Sequence, residues 1–316
     1  MSEKIKYFPI TSFAIVMGLS GLSIVFGKFY HLQWLPKIFY DISVFAVLGL
    51  FLLFTIIYGL KLMRFPGEVK IDFTHRIRIN FFSAISISLL LLSIVFYTFY
   101  PLLSIAFWWV GLILHTVFMF KTIAFWIQHN FEIKHFNPAW FIPVVGNILV
   151  PVVGVDYAPL AISYFYFAVG FFFWIVLFTI FLNRLIFHGQ LPEKFIPTFF
   201  IILAPPAVGF IAYMRISASW DGFAVFLLFM TYFFIGLLIT LYKSFRKIKF
   251  FMSWWAFTFP LAATTIASAV AFQITAENTF KYLSWIFFAA AIVANVIVAW
   301  HTIKGMRKGE ICVMDD

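Results

Sequence analysis

Ten apolar runs, each close to twenty residues long, succeed one another with only short polar breaks, and that spacing constrains the chain more than any other feature in it. They fall near residues 9–27, 38–60, 79–99, 102–127, 138–155, 158–182, 196–214, 222–242, 252–273 and 281–303. About 20 apolar residues in helical form cross the hydrocarbon core of a bilayer. Lipid offers the backbone no hydrogen-bond partners, so runs of this kind must be helices. The expected fold is therefore an all-α polytopic membrane protein. With 64% hydrophobic residues and only 11% charged ones, the 316-residue chain lacks the polar surface of a soluble domain. No small-x-small cleavage site follows the first run, which is read as a span and not as a secretion signal. No Gly/Ser linker divides the chain, so residues 1–316 are expected to form a single ten-span domain. Its short loops would join consecutive spans into five antiparallel hairpins.

The formal net charge is +10. That excess lies in the short breaks between apolar runs, which suits membrane topology better than binding to nucleic acid. Eighteen Lys and Arg fall on the side that carries both termini, and Lys28, Lys37, Arg215 and Lys281 fall on the other. The imbalance places both termini in the cytoplasm of a cell whose inner or plasma membrane holds the protein.

Helix-breaking residues concentrate in odd-numbered runs: Gly18 and Gly21 in the first, Pro143, Gly146 and Pro151 in the fifth, Pro205, Pro206 and Gly209 in the seventh, Pro260 in the ninth. The third run has neither Gly nor Pro between Phe81 and Phe99. A proline inside a helix frees a carbonyl and bends the chain. At bilayer depth such freed groups are tolerated inside protein or against a water-filled path, so Pro260 reads either as a packing kink or as the mark of a substrate path. Bent helices suit an inner ring, and the even runs, whose interiors lack proline, suit an outer one.

No phosphate-binding glycine loop, nucleophile elbow or intramembrane carboxylate pair occurs in the sequence, so an enzyme is not expected. The single cysteine, Cys312, cannot form an intrachain disulfide or a cysteine-built metal site, and no metal or cofactor is expected. His115 and His301 are the intramembrane histidines; they would have to face one another to hold a haem, and interhelical hydrogen bonding or an interfacial position is the simpler account. His129, Glu132 and His135 match no standard zinc spacing and read as loop residues. Arg76 and Arg78, close to Lys61, Arg64 and Lys70, read either as positive-inside charges or as a cluster that gathers anions at a cytoplasmic mouth.

Four separated segments carry a family resemblance. They are Phe8-Pro9-Ile10-Thr11-Ser12-Phe13-Ala14-Ile15-Val16-Met17-Gly18-Leu19, His75-Arg76-Ile77-Arg78-Ile79-Asn80-Phe81-Phe82, Asn137-Pro138 with Val144-Val145-Gly146-Asn147, and Ala204-Pro205-Pro206 paired with Trp255-Ala256-Phe257-Thr258-Phe259-Pro260. On them the chain resembles the tellurite-resistance/dicarboxylate transporter family, which includes the bacterial TehA proteins and the slow-type anion channels of plant guard cells. Thr11 and Ala14 stand where the family's opening pattern has glycine, and Arg76 where it often has proline.

The resemblance implies five helical hairpins in quasi-fivefold arrangement, with odd-numbered helices lining a central pore in each subunit of a homotrimer. It implies that Phe259 is the pore gate, that Gly18, Pro143, Gly146, Pro205, Pro206 and Pro260 kink or line the pore helices, and that small anions are the cargo. A passive channel for monovalent anions is the leading expectation. The alternative is a secondary transporter on the same fold, exporting sulfite or carrying C4-dicarboxylates with protons, for which Arg78 is the expected cationic partner.

Overall fold

The computed structural model describes residues 2–313. Among these residues the fold is helical throughout, with nine helices long and apolar enough to cross a membrane. They are α1 (Ile10–His31), α2 (Lys37–Arg64), α3 (Arg78–Phe96), α4 (Pro101–Gln128), α6 (Leu160–Phe187), α7 (Glu193–Ser217), α8 (Gly222–Thr240), α9 (Met252–Thr275) and α10 (Asn278–Lys308). The expected fifth span is a shorter apolar segment, α5 (Pro138–Gly154). It alternates 3₁₀ and α-helical pieces, Pro138–Phe141, Ile142–Val145, Gly146–Leu149 and Val150–Gly154. Because 3₁₀ helix rises about 2.0 Å per residue against about 1.5 Å for α-helix, the segment still reaches about 30 Å.

All five odd-numbered segments open with a 3₁₀ stretch and then turn α-helical. The 3₁₀ parts are Ile10–Ser12, Arg78–Phe82, Pro138–Phe141, Glu193–Leu203 and Met252–Phe257. This corrects the expectation for the third run, which changes helix type without Gly or Pro. The prolines are also placed differently from mid-helix kinks. Pro143, Pro151, Pro205 and Pro206 lie in the first turn of an α-helical piece, and Pro260 is the third residue of Thr258–Thr275. There the amide that proline lacks has no partner within the α-helix to lose. Gly18 and Gly21 sit within the unbroken helix Phe13–His31, so neither breaks it.

Side chains in and beside the 3₁₀ stretches add bonds to backbone carbonyls. Asn80 Nδ2 donates to the Ile77 carbonyl at 3.2 Å, Asn147 Nδ2 to Val144 at 2.6 Å, and Thr258 Oγ1 to Trp255 at 2.7 Å. Thr198 makes the equivalent bond to Phe195 in α7. The even-numbered helices contain no such break and run to 28 residues or more in four of the five.

Burial divides the two sets. Between 61% and 83% of the apolar windows of α1, α3, α7 and α9 is buried, against 22% to 33% for the even helices. The exposed residues of the even helices are large and apolar, such as Leu52, Ile113, Phe172, Phe233 and Val296, as a lipid-facing surface requires. Among the odd segments, α1 packs on α3 and α9, α3 on α5, α5 on α7, and α7 on α9.

A charged cluster ties the short helix Pro66–Thr74 to its surroundings. Asp72 is 3% exposed and receives Lys61 Nζ at 2.6 Å and an Arg78 guanidinium nitrogen at 2.7 Å, with the Tyr58 hydroxyl at 3.3 Å. Lys61, also 3% exposed, donates in addition to the Phe8 carbonyl at 3.0 Å. Asp72→Asn should destabilise the protein by about 3–5 kcal/mol, since it strands a buried ammonium. Lys61→Met combined with Asp72→Leu should cost less than the single change; thermal unfolding in detergent compares the two, and a single variant as stable as the parent would contradict the account.

Candidate functional site

Two cavities lie between the odd-numbered segments. The larger, about 480 Å³, extends toward the end formed by their 3₁₀ stretches, where His75, Arg78 and Lys194 line it. The smaller, about 40 Å³, is walled by aliphatic side chains, among them Ile24, Ile94, Ile211 and Ile266, together with Phe259. Leu149 of α5, Val208 of α7 and Phe259 of α9 line both cavities. These three apolar side chains form the partition between them.

Phe259 owes its position to close packing of α1 against α9. A Cβ on Gly21 would lie 3.1 Å from Cδ2 of the Phe259 ring and 3.0 Å from the Ala262 methyl. One turn earlier, a Cβ on Gly18 would meet Thr258 Oγ1 at 2.0 Å. Glycine at both positions lets the α1 backbone approach the start of the α-helical half of α9. The hydroxyl of Thr258 is itself fixed on the Trp255 carbonyl, and Trp255 Nε1 donates to Thr302 Oγ1 of α10 at 3.0 Å. The ring therefore projects from a tightly held backbone.

The remaining sequence-selected residues divide by position. Gly146, Pro205 and Pro260 line the large cavity, as does Arg78. Gly18, Pro143 and Pro206 are buried in the helix packing behind it. Arg76 is exposed; its guanidinium lies 3.4 Å from His135 Nε2 and over the Phe131 ring, toward the loop that precedes α5. At Gly146 a Cβ would fall 2.6 Å from Ile87 Cδ1 and 2.7 Å from His115 Cε1, so glycine is needed for α5 to pack on α3 and α4. His115 is fully buried with Nδ1 2.9 Å from Ser86 Oγ. His301 stacks on Phe250 and lies against Trp254, and the two histidines occupy separate surroundings.

Sequence reasoning missed three groups. Lys61 was placed in the basic cluster near Arg78 but not as a partner of Asp72, which was not singled out, yet Asp72 pairs with both Lys61 and Arg78 beside the cavity. Their signal was weak, because the Lys61 to Asp72 spacing spans the end of one helix and all but the last two residues of the next. The chain after α10 also contributes: Glu310, Ile311 and Cys312 line the large cavity. Burial pushes the Cys312 thiol above its usual range, so it brings no negative charge there at neutral pH.

Comparison with known proteins gives consistent relatives. The family model described as SLAC1, voltage-dependent anion channel, matches residues 7–303. The chain is 30% identical to the S-type anion channel SLAH2 of Arabidopsis thaliana, over 94% of this chain and 59% of that one. It is 28% identical to the uncharacterized transporter MJ0762 of Methanocaldococcus jannaschii, over 98% of each chain. It is also 25% identical to the tellurite resistance protein TehA homolog of Haemophilus influenzae, over 96% of this chain and 93% of that one. The chain spans 59% of SLAH2 and 47% of SLAH3, about half the length of these two plant relatives.

The approach of α1 to α9 supports a direct test. Gly18→Ala should destabilise the fold by about 1–3 kcal/mol through overpacking. Thr258→Ala, which removes the nearest obstructing atom, should recover part of that loss in the double variant. Thermal unfolding of the three proteins measures both, and an unperturbed Gly18→Ala would show that the space is not limiting.

Proposed function

The chain belongs to the SLAC1 family of voltage-dependent anion channels, and from that premise we propose that it conducts small monovalent anions passively through a path between its odd-numbered segments. The observation that carries this reading is the partition: Phe259 stands between a cavity that is partly polar and one walled by aliphatic groups. A hydrated anion cannot cross a constriction of Leu149, Val208 and Phe259 without shedding water that nothing there replaces. Phe259 is the gate in this reading, and displacement of its ring joins the cavities. The neighbour contacts of α1, α3, α5, α7 and α9 support a closed inner ring of five, with α5 as a tenth, partly 3₁₀ crossing and the even helices outside.

Arg78, and Arg76 outside it, enrich anions at the mouth of the larger cavity. The distribution of basic residues supports placing this mouth and both termini in the cytoplasm. Residues 1–316 act as one membrane unit, and the family relationship supports a homotrimer with a path in each subunit. A coupled dicarboxylate carrier fits less well. Its two carboxylates would need two cationic partners, and of Arg78 and Lys194, which line the cavity, Arg78 already shares its charge with Asp72 at 2.7 Å.

Phe259→Ala should raise chloride or nitrate current in planar bilayers by at least about tenfold, the effect of removing little more than 1 kcal/mol of barrier. A correctly assembled variant with unchanged current would refute the gate assignment. Saturable malate uptake driven by a pH gradient and lost in Arg78→Ala would favour the carrier instead.

A further inference from the structure

At the end of the bundle opposite Arg78, polar side chains from all five odd-numbered segments and their C-terminal extensions come to similar depth. Lys28 follows Ile24 by four residues and Arg215 follows Ile211 by four. Asp156 follows Val152 by four, Tyr97 follows Ile94 by three, and Gln273 follows Ile266 by seven. The earlier member of each pair lines the small cavity. Residues three, four or seven apart share a helix face, so these polar groups lie one to two turns beyond that cavity.

Their charges are not equally compensated. Asp156 is paired with Arg215 and accepts from the Tyr97 hydroxyl at 2.9 Å. Arg215 Nε also donates to the carbonyl of Val152, a residue of the cavity wall, at 2.9 Å. Lys28 has no carboxylate partner among the described residues; its ammonium donates to Gln273 Oε1, a neutral amide. The ammonium of Lys28 is thus without a counter-ion, on a half-buried side chain.

We propose that Lys28 and Gln273 form an anion-binding site at this end, taking small monovalent inorganic anions as they meet the apolar stretch that ends at Phe259. A lysine ammonium has three donors and one is used on Gln273, so two remain for an anion. The carboxamide group of Gln273 brings two N–H donors of its own beside them. Arg215 is held off by Asp156, which keeps the site singly charged and the binding weak enough for release. The role of this site in conduction rests on the channel reading above, whereas anion binding at Lys28 does not.

Chloride-35 NMR line broadening on the purified protein in lipid nanodiscs tests the binding without requiring current. Lys28→Gln should lose a component of the broadening that Lys28→Arg retains. Broadening equal to that of the parent in a folded Lys28→Gln protein would overturn the proposal. Currents in the Phe259→Ala background then test the role: adding Lys28→Gln should raise the half-saturating chloride concentration about fivefold on the Lys28 side alone. An equal shift on both sides, or none, would remove that role. A silent Phe259→Ala channel would count against the gate, while the NMR result would still decide the site.

Discussion

Backbone groups at bilayer depth must find their partners inside the protein, and the inner segments meet that demand across a change of helix type. Each opens with a 3₁₀ stretch and then turns α-helical. In four of them an Asn or Thr side chain bonds the carbonyl three residues back, through Asn80, Asn147, Thr198 and Thr258. At Ile77 and Trp255 the side-chain bond is a second one, since the backbone amide of the same Asn or Thr also donates there. The proline positions follow from the same constraint, because the first turn of an α-helix is where an absent amide does least harm.

The junction in α9 also sets the geometry of the partition. Phe259 is the second residue after the change of helix type, and Gly18 and Gly21 let α1 close on that turn. A backbone held so tightly leaves ring rotation as the cheap motion. Leu149 and Val208 complete an apolar waist of side chains that carry no charge and no hydrogen-bond donor. The barrier of the proposed path is thus one of dehydration, and no tight cationic site lies within it to trap an anion.

Charge is arranged at the two ends instead. Beside the large cavity, Arg78 is anchored by Asp72, whose second cationic partner, Lys61, is buried against the Phe8 carbonyl. At the other end Asp156 restrains Arg215, while Lys28 has no carboxylate partner among the described residues. Both ends couple one carboxylate to the basic groups around it, which limits the local field without abolishing it.

Helix content, membrane insertion and the contrast between broken odd runs and straight even runs were legible in the amino-acid sequence, because hydrophobic length and proline placement act locally. Pro260 stood out by the same local pattern, whereas Phe259 was named only through the family resemblance. What the chain alone did not determine was the break in α3, where Asn80 and tertiary packing replace the Gly and Pro that usually mark one. Nor did it determine that Gly18 is a point of contact with Thr258 and not a kink, or that Lys61 and Asp72 meet. Those features depend on which helix faces which, and that choice arises from side chains far apart in sequence fitting together, a long-range outcome that no local pattern encodes.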